Sequence, residues 1–440
     1  MKTRLLFILL LLGAIPVWAQ VQPAATGGGV DDERMQMPAP ISGESYPMTG
    51  TDEVRTNYLS MGVNFIAAYD DNVVRDVSQK PIGDETYSIL PNIGLDELTT
   101  RQHRSLAYSA GFLFYQPTSA LNSVQQSAAG RFQYRLSPRT TFTLSDGFQQ
   151  SSNPFNQASS ISGEPISGSP QPSNVVVIAP YASQYSNGGN VGASYQYSRD
   201  GMIGGSGSTA LLNYPNPSEA PGLSDFISGG GSGFFSRRLT GFQYLGGIYN
   251  YNYVVTHPVD TTTQTQTISL FYTIFVSRTL SVSASGGPLH YDSTHTGVST
   301  SSAWTPSITA SLGWQGRHSS LAGSYNRTVT GGGGLLGTYH LNSAGATWNW
   351  QYARTWTFGA TTNYAITKNA TPIQFTSNAG GHSLVGSVYV QHSIGERIGA
   401  QAGYSRLNQS YNGIQSVYSA PDSDRVFFSI SYQLTRPLGR

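Results

Sequence analysis

Asp70, Asp71, Asn72 and Asp76 gather oxygen donors within seven residues, the raw material of a calcium site. Their spacing lacks the central glycine and terminal bidentate glutamate of an EF-hand loop, so an acidic surface loop is the simpler expectation. Gly332-Gly333-Gly334-Leu335-Leu336-Gly337 has the form of a dinucleotide fingerprint. That chemistry needs a strand before it and a helix after it, whereas Thr338-Tyr339-His340-Leu341 continues as strand, so a loop is expected. Eight histidines accompany many serines, yet no Gly-x-Ser-x-Gly elbow occurs, and His290, His295 and His382 fall in or beside expected loops. A nucleophile needs a base within hydrogen-bond reach and a group to orient that base. Neither is legible, so no catalytic centre, metal or cofactor is expected, and the chain reads as a non-enzyme.

What remains is chemistry of lining. Arg131 and Arg135 alternate with Phe132 and Tyr134 and so share one strand face. Asn349 and Gln351 alternate with Trp348, Trp350 and Tyr352, and Asn363 sits on the polar face of the next run. These five are the candidate lumen-lining residues. The two arginines would form an anion-favouring wall, or pair with carboxylates such as Asp96 or Asp146.

The elements that must position them are strands. In Arg425 to Thr435, Val426, Phe428, Ile430, Tyr432 and Leu434 take one face, and Phe427, Ser429, Ser431, Gln433 and Thr435 the other. This pattern recurs through most of the chain. Trp304 and Trp314 bracket a face with Ile308, Ala310 and Leu312, as in the aromatic girdles of membrane barrels. Lys2 and Arg4, the apolar run Leu5–Ile15 and Val17-Trp18-Ala19 predict a signal peptide over 1–19. Residues 20–56, rich in Pro, Gly and acid, predict a flexible periplasmic lead-in, 57–435 a barrel and 436–440 a short tail.

Charged residues make up 11% of the chain, cysteine is absent and the net charge is +1, which gives no electrostatic case for nucleic acid. Arg-bearing turns recur, with arginines at 237, 278, 317, 354 and 397, spaced 41, 39, 37 and 43 apart. Longer Ser/Thr/Gly/Asn segments such as Asp292–Ser302 and Thr367–Gly381 lie between them. Tight turns alternating with long loops predict an all-β antiparallel transmembrane barrel of about 18 strands, 16 being the other count, with both termini periplasmic. A propeller would need four short strands per unit where two long ones are legible.

Tyr69-Asp70-Asp71-Asn72-Val73, Tyr87-Ser88-Ile89-Leu90-Pro91-Asn92-Ile93-Gly94-Leu95 and Arg104-Ser105-Leu106-Ala107-Tyr108-Ser109 together resemble an outer-membrane β-barrel porin family, the type sometimes encoded beside exopolysaccharide assembly genes. The resemblance implies a bacterial outer-membrane address and carries no catalytic residues. The final strand resembles the signal read by the barrel-assembly machinery, but departs from it by ending in Arg436-Pro437-Leu438-Gly439-Arg440, and Pro437 is expected to stop the strand and leave a free tail.

The functional expectation is a passive diffusion pore, with outer-membrane lipid around it and small hydrophilic solutes or polysaccharide as candidate ligands. The alternative is a surface structural, adhesion or exopolysaccharide-associated barrel without an open pore. Ser151–Gly189, with five prolines and the apolar run Val175–Ala179, is the candidate constriction loop, folded inward or lying outside.

Overall fold

Alternation along a strand becomes a wall with two chemically different faces. The structure, a computed structural model, describes residues 57–73, 80–155, 177–179, 181–258, 260–295, 298–331, 333–370, 380–412 and 422–438. Its strands run β1 (Tyr58–Asp70), β2 (Asp84–Leu98), β3 (Gln102–Tyr115), β4 (Ser123–Ser137), β5 (Thr140–Ser151) and β6 (Gln184–Ser198). Next come β7 (Gly201–Asn213), β8 (Asp225–Thr240), β9 (Gln243–His257), β10 (Thr261–Ser277), β11 (Leu280–His295) and β12 (Val298–Gln315). The last six are β13 (Ser319–Thr330), β14 (Tyr339–Ala353), β15 (Trp356–Asn369), β16 (Gly381–Ile394), β17 (Ile398–Tyr411) and β18 (Asp422–Pro437).

Consecutive strands pair antiparallel, and β1 pairs with β18 as well as β2, which closes the ring of 18. Closure removes every sheet edge, the condition for strands to cross a bilayer. β10 shows the two faces: Thr263, Thr265, Thr267, Ser269 and Thr273 are buried inside, while Ile268 and Leu270 are 60% and 69% exposed outside. The same parity puts Trp304, Ile308, Leu312 and Trp314 outside on β12, and Ser429 and Ser431, both buried, inside on β18. Among the described residues no helix is long and apolar enough to cross a membrane. A closed barrel with a polar inner face and an outer belt of aliphatic and aromatic side chains belongs in the bacterial outer membrane.

Both described chain ends lie at the end where tight turns join the strands, since Tyr58 pairs with both Asp96 and Pro437. Several boundaries differ from expectation. Arg237 and Arg238 are not a turn: β8 continues to Thr240 and the turn falls before Gln243, because Thr240-Gly241-Phe242 offers the tighter reversal. Most of Asp292–Ser302 is strand, and the β12–β13 pairing begins only at Ile308, so above it the β11–β12 hairpin meets β13 through side chains, Leu289, Tyr291 and Ala303 packing with Val329, instead of through a ladder. Strands of 12 to 18 residues exceed the expected length of about 11. Ser- and Thr-rich ends keep their ladders beyond the hydrocarbon, where side-chain polarity costs nothing. Pro437 is the last strand residue, as expected, but the Leu438 amide donates to the Asn57 carbonyl at 2.7 Å and ties the first tail residue to the wall.

The seam between β1 and β18 corrects the acidic-loop expectation. Asp70 is fully buried, with its Oδ1 3.5 Å from Arg425 Nε. The Asp71 carboxylate accepts from the Asp424 amide at 2.7 Å and the Ser423 hydroxyl at 3.2 Å, and the Asn72 side chain donates to the Asp422 carbonyl at 2.9 Å. Asp76 lies outside the described residues. The described acidic residues fasten the first strand to the last.

Candidate functional site

The loop between β5 and β6 is too long for a hairpin and carries apolar residues that water does not favour. Its described ends fold into the barrel mouth. Of the two placements open to this loop, the described residues take the inward one. Val177, Ile178, Ala179 and Ala182 are 0% exposed and Tyr181 2%. Val177, Ala179 and Ala182 pack with Leu212 of β7, Val254 of β9, Leu341 of β14, Ala365 of β15 and Tyr411 of β17, and with Leu335 of the β13–β14 loop. Ile178 packs with Leu407 and Val385 on the opposite wall. Because β17 stands seven strands from β6 around the ring, the segment reaches it only by crossing the interior. It is a strap.

Polar contacts fix its position. The Ile178 amide donates to Gln409 Oε1 at 3.1 Å, and Gln409 Nε2 donates to the Ile178 carbonyl at 2.6 Å. This two-bond clamp copies a strand pairing with one side chain, and it satisfies backbone groups that burial would otherwise leave unpaired. The Tyr181 hydroxyl donates to the Asn72 carbonyl at 3.2 Å, and the Tyr181 ring meets Tyr115 edge-on at 6.2 Å. Burial pushes the Tyr181 phenol well above its ordinary range, with the Asp70 carboxylate adding to the effect, so it stays a neutral donor. At the other end of the loop, the Asn153 side-chain amide donates to the Tyr115 hydroxyl at 3.2 Å, and Arg425 stands 5.3 Å over the Phe155 ring. Gly334, at φ +96°, lets the β13–β14 loop press against Val177, where any Cβ would collide.

Below the strap, Arg131 and Arg135 lie on the inward face of β4, opposite Ser145 and Thr141 of β5. Asn349 and Gln351 lie on the inward face of β14, eight strands away round the ring and so on nearly the opposite wall, with Asn363 next door on β15. The Tyr389 hydroxyl donates to Asn349 Oδ1 at 2.9 Å, and its ring lies flat over Gly359, where a Cβ would collide with it. Phe427 lies over Gly403 in the same way. Such rings lean on the wall instead of projecting into the interior, and Asn349 holds one of them there.

Two carboxylates separate. Asp96 faces inward and meets His103 Nε2 at 3.0 Å, but Asp146 stands on the outward face of β5 between Leu144 and Phe148, so it is no partner for Arg131 or Arg135. Parity read from Phe142 would have shown this. His290 is not in a loop: it lies on β11, its ring 4.7 Å from Trp304. Of the glycine run, the described residues form a loop that leads directly into β14, with no helix to complete a dinucleotide site. The sequence reading did not single out Gln409 or Arg425 as anchors. The available signals were alternation with Tyr404, which puts Gln409 on the inward face, and an inward arginine at a strand end.

The chain is similar in structure to the FrpB iron transporter (F3-3 variant) from Neisseria meningitidis, with a TM-score of 0.42 at 10% identity over 87% of this chain and 82% of that one. It is similar to the outer membrane protein OpdK from Pseudomonas aeruginosa, with a TM-score of 0.41 at 9% identity over 86% and 99% of the two chains. OccK2 (OpdF) from Pseudomonas aeruginosa gives a TM-score of 0.42 at 11% identity over 86% and 98%. No protein-family model and no curated protein matches the sequence.

Proposed function

We propose that this barrel is a passive pore for small hydrophilic solutes or saccharides, with the strap as its constriction. The observation that carries the reading is the split of the interior: the largest apolar cluster sits at the loop end, a small one of Met202, Phe234, Tyr244 and Phe275 sits near the tight turns, and between them the wall is lined largely by Ser, Thr, Asn, Gln and Gly. Several rings that could fill that space, those of Tyr389, Phe427, Phe234 and Phe271, are folded against glycines. A ring of 18 strands is wide enough for a water-filled channel where side chains do not fill it. Arg131 and Arg135 line one wall and Asn349, Gln351 and Asn363 the other, so solutes would pass between a cationic and a neutral polar surface.

In this reading residues 1–19 direct export, the tight turns and both termini face the periplasm, and β18 is what the barrel-assembly machinery engages. A second reading is favoured by the burial of the strap's described residues Val177–Ala179, Tyr181 and Ala182. A seated strap fits a surface structural or adhesion barrel, or an exopolysaccharide-associated one, that never opens.

Purified protein in planar bilayers separates the two. Stepwise conductance, with ion preference moved towards cations when Arg131 and Arg135 are both replaced by Glu, is the expected result. Folded protein that leaves bilayers silent would reject the pore and support the closed barrel.

A further inference from the structure

The outward face carries a polar hollow that lipid does not suit. One row of paired residues runs Gly130, Asp146, Gly189, Thr209 and Gly229 across β4 to β8. Phe132 and Leu144 lie on one side of this row, and Phe148, Leu211 and Ile227 on the other, all outward. Asp146 is the seventh of twelve residues in β5, midway along the strand rather than at a turn. Asn187 Nδ2 stands 3.4 Å from each of its oxygens, a long and weak pairing. Gln126 and Gln150 face each other outward two pairs further along the same strands, beyond Ala128 and Phe148. Two other outward arginines have carboxylate partners: Arg104 has Glu97 at 3.7 Å, and Arg406 has Asp422 and Asp424.

An ionisable group on the lipid face is costly, and most costly near mid-depth. Acyl chains offer it no hydrogen bond, and headgroups with donors lie at the membrane surface. What can cover Asp146 is therefore another membrane protein with amide and hydroxyl donors at the same depth. This face itself has them, in Gln126, Gln150, Asn187 and Thr209, so it is complementary to a second copy of itself under a two-fold axis. The glycines beside Asp146 let the two walls approach. We propose that β4–β8 form a self-association surface, in which Asp146 of one copy is covered by the polar residues of the other.

The chain has no cysteine, so single cysteines report on neighbours directly. Gly229→Cys, at a position where nothing lies within 4 Å of the place a Cβ would take, should cross-link to a dimer with a short bismaleimide in native membranes. Leu312→Cys, outward on β12, should not. Native mass spectrometry from mild detergent should give a dimer for the wild type and monomer for Gly229→Leu, with the heat-dependent gel shift of a folded barrel kept. Asp146→Leu should loosen the dimer. Equal cross-linking at both positions, a monomeric wild type, or a monomer carrying a lipid that Gly229→Leu displaces would each overturn the proposal.

Discussion

At the tight-turn end, Arg238 of β8 reaches Asp200 in the β6–β7 turn, Nη2 to Oδ1 2.7 Å, with the carboxylate side chain 51% exposed. At the loop end, Arg425 of β18 meets Asp70 of β1 at 3.5 Å, with the carboxylate 0% exposed. The first pair is shorter and better aligned, yet water replaces either partner without much loss. The second is long, and neither oxygen of Asp70 has a hydrogen-bond partner, so Arg425 is what compensates a buried charge. The turn end is held by ladders and short reversals, and its ion pair is an addition. The loop end is held by side chains, and there one arginine serves both the seam and the strap.

The contrast can be broken first at Arg425. Arg425→Met should cost about 3–5 kcal/mol, because Asp70 is left buried and unpaired. A lower urea midpoint and new protease cleavage within the strap would be measured together, and Asp70→Asn added to it should recover part of the loss. A strap that stays protected would separate the seam from the mouth. Ile178→Ala should cost about 2–5 kcal/mol of strap docking through the vacated cavity, raising conductance while the gel shift of the barrel stays unchanged. Gln409→Ala should weaken docking by about 1–3 kcal/mol, since the Ile178 amide and carbonyl lose their partner inside the barrel. Hydrogen exchange at Ile178 reads this directly, and continued protection would show that apolar packing alone holds the strap. The smallest effect belongs to Arg238→Met, about 0–1 kcal/mol, as usual for a solvated pair. A urea midpoint shifted as far as by Arg425→Met would erase the difference between the two ends.

Much of the wall was legible because period two is a local signal. β18, the Trp304–Trp314 face and the inward parity of Arg131, Asn349 and Asn363 all follow from alternation. The Arg237–Arg238 turn failed because arginine marks other turns here by neighbourhood, whereas the reversal itself falls at Thr240–Phe242, where the Phe242 amide donates to the Thr240 hydroxyl at 3.3 Å. The seam and the strap clamp were not legible for a different reason. Asp70 and Arg425, or Ile178 and Gln409, meet only when the ring closes, and no local period encodes a contact across a closed barrel. Asp146 was readable and misplaced, since its face follows from Phe142 and Leu144 on its own strand.

The clamp also orders events in time. Gln409 and Arg425 belong to the last two strands, while the strap leaves the wall between β5 and β6. Until the C-terminal strands are in place the strap has neither anchor, so the mouth cannot be narrowed before the cylinder is complete. Bringing together segments so far apart in the chain carries a closure entropy that local hairpins do not, which also sets it late. The wall is thus built around an empty centre, and the last step of maturation is the seating of a segment synthesised long before its socket.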